Sequence, residues 1–263
     1  MASCIDYSKV DLKKTDQNKV EVLAEFSLGK PIRMYINSEK VPYDSKVKTV
    51  YIEDRDGNVL TELKNTEKHI WESKYHLEYP SLYFLRIVCN NEYIINKFEI
   101  PPKIKVKDSI SFYLDYEFFN AFITFEDNIT NDEYYIIEFP YNLKSGKQSL
   151  MSIQCLDEYS DNILYNEIKP PYKRIFVKRT HIHRPKELLF NIDYSNYDER
   201  DSLSLRIRRV EKEFYDYLYS YEIQKTSPEN SAILSPQNPM FLGIIGGTST
   251  YESKIKLSLP PNK

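Results

Sequence analysis

The chain has 263 residues, of which 41% are hydrophobic and 29% charged, and its formal net charge is −3. This length accommodates one large domain or two of ordinary size, and the apolar fraction is sufficient for well-formed cores. The slightly acidic balance argues against a general binder of nucleic acid or anionic membranes. No run of about 18 apolar residues predicts a membrane-spanning helix. No signal peptide is present either, so we expect a cytosolic protein or one whose signal has been removed.

Short alternating segments dominate the first hundred residues. Residues 1–18 are polar and aperiodic and predict a tether. In KVEVLAEFSLG every second residue from Val20 to Leu28 is apolar, which indicates a half-buried strand. IRMYIN, IWES, LYFLRIVC and EYIINKFEI are further strands, and VKTVYIEDRDGNVLTEL predicts a hairpin around Asp56-Gly57. Seven such strands predict an immunoglobulin-like β-sandwich over residues 19–101.

A second domain is predicted after Pro101-Pro102, because proline interrupts a strand ladder. Residues 108–263 read as a larger β-sandwich with longer strands. One segment has helical periodicity, with Phe214, Tyr217, Leu218 and Tyr221 on a single stripe, and predicts a helix near residues 211–225. The predicted fold class is therefore mainly β, with two sandwich domains and one helix.

Motifs for catalysis or metal binding are not evident. EDRDGN begins like a calcium loop, but Asn65 occupies the twelfth position, so a plain hairpin turn is the main interpretation and a weak cation site the alternative. His181 and His183 alternate on a strand-like run without an identifiable third ligand, which favours an ordinary strand end over a metal site. GIIGGTST is neither a dinucleotide-binding nor a Walker loop. We therefore predict no catalytic residues, no metal and no cofactor.

The aromatic excess is the most unusual feature of the composition, with 23 Tyr and 13 Phe against 6 Gly. Most of these rings are needed in strand cores, but the excess also favours an exposed aromatic surface for protein or sugar binding. The cysteines are Cys4, Cys89 and Cys155. If Cys4 serves as an anchor, the other two are either free or paired, and the spacing does not decide between these states.

The order of several motifs resembles the domain-of-unknown-function family 4249, lipoproteins of Bacteroidota often encoded beside TonB-dependent receptors. The similar stretches are a small residue before Cys4 with a polar tether, the hairpin VKTVYIEDRDGNVLTEL, and LYFLRIVCNNEYIINKFEIPPKIKVKDSI. Further along they are FITFEDNITNDEYYIIEF and LSLRIRRVEKEFYDYLYSYEIQ. NPMFLGIIGG resembles a late turn of the family but lacks its phenylalanine. The resemblance covers nearly the whole chain.

The resemblance implies a location rather than a reaction. Cys4 would carry the lipid anchor, and the protein would be attached to the outer membrane. We expect the cell surface rather than the periplasmic face, although the acidic run typical of surface export is reduced here to Asp6. The same bacterial group modifies Asp-Ser-aliphatic triplets in exported proteins, so Ser109 and Ser202 are candidate O-glycan sites, with plain strand starts as the alternative.

The expected function is a non-enzymatic accessory or binding subunit of an outer-membrane complex, with a TonB-dependent receptor as partner in nutrient uptake. The alternatives are an enzyme with a site between its domains and a structural part of a cell-surface machine. Tyr215 and Tyr219 lie off the predicted apolar stripe of the helix, which makes them candidates for the partner interface. The competing interpretation places both under the proline-rich loop at 227–239.

Overall fold

The protein is mostly β with one helix in the described part of the computed structural model. The structure describes residues 20–37, 47–89, 93–107, 112–115, 118–126, 131–142, 148–155, 173–180, 187–193, 203–226 and 241–255. Cys4, Ser109, His181, His183 and Ser202 lie outside these residues. Within the described ranges no helix is long and apolar enough to cross a membrane.

The elements follow the predicted alternation closely. The strands before residue 100 are β1 (Val20–Ser27), β2 (Pro31–Asn37), β3 (Val47–Glu53), β4 (Val59–Glu67), β5 (Ile70–His76), β6 (Leu82–Cys89) and β7 (Tyr93–Glu99). Those that follow are β8 (Val106–Lys107), β9 (Phe112–Asp115), β10 (Phe118–Phe125), β11 (Glu133–Glu138), β12 (Pro140–Asn142), β13 (Gln148–Leu150), β14 (Ser152–Cys155), β15 (Ile175–Arg179), β16 (Glu187–Asp193) and β17 (Leu203–Val210). Helix α1 (Lys212–Thr226) and β18 (Phe241–Ile255) complete the set.

The chain divides into two compact units that do not follow a single cut in the sequence. Unit 1 comprises Met1–Pro102, Val210–Tyr217 and Ile233–Ser249, and unit 2 comprises Lys103–Arg209, Leu218–Ala232 and Thr250–Lys263. The first of these divisions lies between Pro102 and Lys103. The sequence did not predict that Val210–Tyr217 and Ile233–Ser249 belong to unit 1. The local pattern of a segment does not indicate which part of the chain it packs against.

Unit 1 is a β-sandwich. Its strand order is β18-β1-β2-β5-β4-β3-β6-β7, with β18 parallel to β1 and the other pairs antiparallel. Phe26 on β1 and Phe98 on β7 are far apart in this order, yet their ring centroids are 4.6 Å apart. The sheet must therefore fold over so that its two ends face each other across one core. Val22, Met34 and Leu85 are fully buried there.

Unit 2 has its own core between two sheets. One has the order β14-β16-β10-β8, with β9 also paired to β10. In the other β11 pairs with β15 and β17, while β12 pairs with β13 and β17. The ring centroids of Phe125 on β10 and Tyr135 on β11 are 4.9 Å apart, and those of Phe139 and Phe190 on β16 are 6.0 Å apart. Aromatic pairs therefore join the two sheets.

Helix α1 is present where the period of 3.6 predicts it, but its burial does not follow the single predicted stripe. Phe214 and Tyr215 are both buried, whereas Tyr217, Leu218 and Tyr221 are half-buried. The first turn closes through the Tyr215 amide, which donates to the Glu211 carbonyl at 3.0 Å. The helix therefore packs on more than one side. Its buried and exposed residues are less clearly separated into two faces than those of an amphipathic surface helix.

Candidate functional site

Three exposed large apolar side chains lie together on unit 1, on the outer side of the sheet formed by β3, β6 and β7. Strict alternation along β6 buries Tyr83, Leu85 and Ile87 and turns the residues between them outward. The register aligns β6 with β3 on one side and β7 on the other. We call this surface the Arg86 face, which comprises Tyr51, Glu53, Leu82, Phe84, Arg86, Val88, Tyr93, Ile95, Lys97 and Glu99.

Large apolar side chains on the Arg86 face are open to solvent. Tyr93 is 63% exposed, Ile95 38% and Leu82 37%. Phe84 and Val88 lie between them and are half-buried. Isolated exposed apolar residues need no explanation, but several on adjacent strands form a patch of the kind that marks interaction sites.

Arg86 lies at the centre of this surface and is held in place. Its Nη2 donates to Glu53 Oε2 at 3.1 Å, and its Nε lies 2.9 Å from Oε1 in the same ion pair. Its guanidinium carbon also lies 5.6 Å from the centroid of the Tyr93 ring, within the range of a cation–π contact. The Glu53 side chain is only 6% exposed, whereas that of Arg86 is 38% exposed. The cation of this pair therefore meets solvent while the anion lies beneath it.

Sequence reasoning missed this face. The available signal was LYFLRIVC itself, a strand that is apolar on both sides except for Arg86. A half-exposed strand of an antiparallel sandwich normally alternates apolar with polar residues. Phe84 and Val88 therefore depart from the pattern expected of an inert surface.

A second notable group in unit 1 is the Glu211 carboxyl. Its Oε2 accepts from the amide of Glu99 at 2.9 Å, and its Oε1 accepts from the amide of Gly247 at 3.1 Å. Burial raises the pKa of Glu211 to about 7, against the lowering effect of the two amides, and Glu213 and Glu99 add to the rise. The sequence indicated only an acid near a helix start, since the contacts to residues 99 and 247 are far away in the chain.

Glu138 is the centre of a buried ion cluster in unit 2. Arg174 Nε lies 2.6 Å and Arg208 Nη2 3.0 Å from its Oε1, and Arg206 Nη1 lies 3.7 Å from Oε2. Burial alone would raise the pKa of Glu138, but these arginines hold it below its ordinary value. Arg174 also pairs with Glu222, and Arg206 with Glu252. Three cations thus meet three anions, which is typical of a structural network.

A related cluster surrounds Glu133 in unit 2. Arg179 Nη1 lies 3.3 Å from Oε2 and Arg209 Nη1 2.9 Å from Oε1, while the Tyr135 hydroxyl donates to Oε2 at 2.7 Å. Burial raises the pKa of Tyr135, and the charge and hydrogen bond of Glu133 raise it further. The Tyr135 phenol therefore stays protonated and acts as a hydrogen-bond donor. The guanidinium carbon of Arg179 also lies 4.6 Å from the centroid of the Phe125 ring. These contacts tie β11, β15 and β10 together.

The predicted partner residues of α1 are placed differently from each other. Tyr215 is 2% exposed, and Tyr219 is half-buried with its ring 5.2 Å from that of Phe176. The partner interface at these residues stays a prediction. A side chain as buried as Tyr215 offers almost no area to a partner, so we look for the interface on the Arg86 face instead.

The EDRDGN segment forms the predicted hairpin turn between β3 and β4. Gly57 has φ +83°, and Asp54 Oδ1 accepts from the amides of Asp56 and Asn58 at 2.9 and 2.8 Å. The Asn58 side chain and these amides lower the pKa of Asp54. In the part of the chain that the structure describes, no group of three or more His, Cys, Asp or Glu residues could hold a metal ion.

The glycines of GIIGG lie in β18 rather than in a loop. Gly243 has φ +113°, a conformation that glycine adopts readily and other residues rarely do. Gly246 and Gly247 instead allow neighbouring atoms to lie very close to the backbone. A Cβ at Gly246 would lie 2.2 Å from the Phe214 ring, and a Cβ at Gly247 would lie 1.9 Å from the Glu99 carbonyl oxygen. This part of the sequence therefore matters for packing within unit 1.

No family model and no curated protein matches the chain. Among solved structures, a protein of the domain-of-unknown-function family 4785 from Legionella pneumophila is similar at 10% identity and a TM-score of 0.27, covering 72% of this chain and 51% of that one. The chain thus spans about half the length of that protein. A structure of manganese lipoxygenase of Gaeumannomyces graminis with part of zonadhesin of Komagataella pastoris is similar at 7% identity and a TM-score of 0.22, covering 74% of this chain and 89% of that one. Likenesses this distant carry no argument about function.

Proposed function

We propose that the protein is a non-enzymatic binding subunit that docks onto another protein through the Arg86 face. The observation that supports this most directly is the exposure of Tyr93, Ile95 and Leu82 on adjacent strands around a pinned arginine. Tyrosine and arginine are the residue types that most often dominate the energy of protein interfaces. A rigid sheet also presents these side chains at little cost in conformational entropy.

The charged clusters support binding rather than catalysis. Glu138 is engaged by arginines, and Glu211 accepts two backbone amides. Each of these carboxyls therefore has a structural task, and burial at Glu211 and the arginines around Glu138 account for the perturbed pKa values, since structural networks shift pKa values as active sites do.

The location and partner in this proposal come from the resemblance to family 4249. Cys4 would anchor the protein to the outer membrane, at the cell surface, through a lipid. The partner would be a TonB-dependent receptor, and the complex would act in nutrient uptake. An anchored subunit needs little affinity of its own, because attachment to one membrane raises the effective concentration of the two proteins.

Extraction of the native membrane in mild detergent tests the proposal. The wild type should migrate with a larger partner on native gels, and a Tyr93→Lys, Ile95→Lys double variant should migrate alone. Tyr79→Lys is the matched control, because Tyr79 is 70% exposed and lies outside the Arg86 face. A wild type that migrates alone, or a double variant that remains in the complex, would contradict the proposal.

A further inference from the structure

The Arg86 face exposes charges of both signs, with Arg86 and Lys97 in its central part and Glu99 at one end, directly across from Leu82. Both oxygens of Glu53 are engaged by Arg86, and the Glu53 side chain is almost fully covered. Lys97 is exposed on the neighbouring strand, directly across from Phe84. The central part of the surface therefore carries accessible guanidinium and ammonium groups within an apolar surround.

Arg86 is preorganised for a second anion. A guanidinium has five N–H groups in a planar fork, and only one edge of that fork is directed at Glu53. The contact with Tyr93 restrains the plane of the group from another side. A side chain that is already immobilised loses little entropy when a ligand binds, so its remaining donors are well suited to recognition.

Resting on the proposed binding function, we propose that Arg86 anchors the partner by binding a carboxylate that the partner protein presents among apolar side chains. Ile95 lies directly across from Arg86, and Phe84 and Val88 flank it on the same side of β6, so apolar partner residues that cover them would exclude water. Exclusion of water strengthens a charge-assisted hydrogen bond, and arginine matches a carboxylate in planar, bidentate geometry. Glu53 is a positioning residue, because it orients Arg86 and is itself covered.

Random linear peptides displayed on phage provide the probe. They would be selected on the wild-type protein and counter-selected on Arg86→Gln, in which the amide still donates to Glu53. We expect the enriched peptides to carry Asp or Glu next to Leu, Phe or Trp. Their affinity should fall by about tenfold or more on Arg86→Gln and less on Arg86→Lys, which keeps the charge but loses the fork.

A change in the peptide provides a test that does not depend on the folding of any variant. Replacement of the peptide Asp by Asn should weaken binding to the wild-type protein by a similar factor, and Tyr79→Lys should leave binding unchanged. Peptides without acidic residues, or equal binding to wild type and Arg86→Gln, would overturn the inference. So would selective binding of wild type to phosphatidylglycerol vesicles without any acidic peptide, since the anion would then be a lipid phosphate.

The outcomes separate this inference from the proposed function. Peptides whose binding is lost in Tyr93→Lys but unchanged in Arg86→Gln would overturn the role of Arg86 and leave the Arg86 face as a docking surface. A native complex that persists in the Tyr93→Lys, Ile95→Lys variant would instead remove the face from the proposed function, whatever the peptides show.

Discussion

Glu211 Oε2 accepts a hydrogen bond from the backbone amide of Glu99 at 2.9 Å, across 112 positions of the sequence. Because Oε1 accepts from Gly247 as well, one carboxyl group joins the end of β7 to β18 at the start of α1. Burial of this carboxyl opposes its ionisation, whereas the two amides favour it. The balance raises the pKa to about 7 and makes this part of unit 1 sensitive to pH.

The stability of the protein should therefore fall between mildly acidic and neutral pH. In the unfolded chain Glu211 loses its proton near its ordinary pKa of 4.5, whereas the folded state keeps it up to about 7. The folded state binds more protons in that interval, so the free energy of unfolding decreases as pH rises through it and levels off above it. This group alone accounts for roughly 3 kcal/mol. Urea unfolding at about pH 5 and about pH 8 should show the loss in wild type and a smaller one in Glu211→Gln.

Glu213→Gln is the matched control for this experiment, because Glu213 is exposed in the same turn. It should retain most of the wild-type pH dependence. If Glu211→Gln retains it equally, the pH dependence of stability does not come from Glu211.

Lipidation at Cys4 is expected from the family resemblance and the polar tether that follows it. Metabolic labelling of the full-length protein with a palmitate analogue should label wild type and fail on Cys4→Ser. Ala replacement of another cysteine, Cys89, is a poor control, because Cys89 is buried in the unit 1 core. Ser8→Ala, within the same tether, is the better comparison. Persistent labelling of Cys4→Ser would show that the anchor reading is wrong.

The fold class was accessible from sequence because period-two alternation reports burial directly. In β7, for example, Ile94, Asn96 and Phe98 are buried, and the residues between them are exposed. The two sites of interest were less accessible. The pairing of Arg86 with Glu53 depends on the register between β6 and β3, and Glu211 depends on a return of the chain to unit 1. Contacts of this kind are set by tertiary packing, which local patterns do not encode.

Gly247→Ala should destabilise the protein by steric contact rather than by backbone conformation. A Cβ at this position would lie 1.9 Å from the Glu99 oxygen and 2.5 Å from its carbonyl carbon, both backbone atoms. The strands would have to separate, at a cost of about 2 kcal/mol or more. Gly57→Ala is a useful comparison, because a Cβ there meets open space and the cost, about 1 kcal/mol, arises from φ +83° alone. Equal unfolding free energies for the two variants would contradict the close approach.

Glu138→Gln should be among the most destabilising single changes in unit 2. The neutral amide would leave Arg174, Arg206 and Arg208 without their central anion. The Arg208 side chain is only 3% exposed, and an uncompensated buried charge costs about 3–5 kcal/mol. Glu222→Gln is the control, because its side chain is 21% exposed and water can solvate the cation that it leaves. Its effect on the urea midpoint should be clearly smaller.

The pH dependence expected from Glu138 has the opposite sign to that of Glu211. Its folded pKa is held below the ordinary 4.5, so the stabilisation is present above that pH and is lost as the pH falls through the folded pKa. Wild type should therefore lose stability in acid, and Glu138→Gln should show a shallower loss below about pH 4.5. If the variant unfolds within about 1 kcal/mol of wild type at neutral pH and with the same acid slope, the three arginines are satisfied by their other partners and Glu138 is not the centre of the cluster.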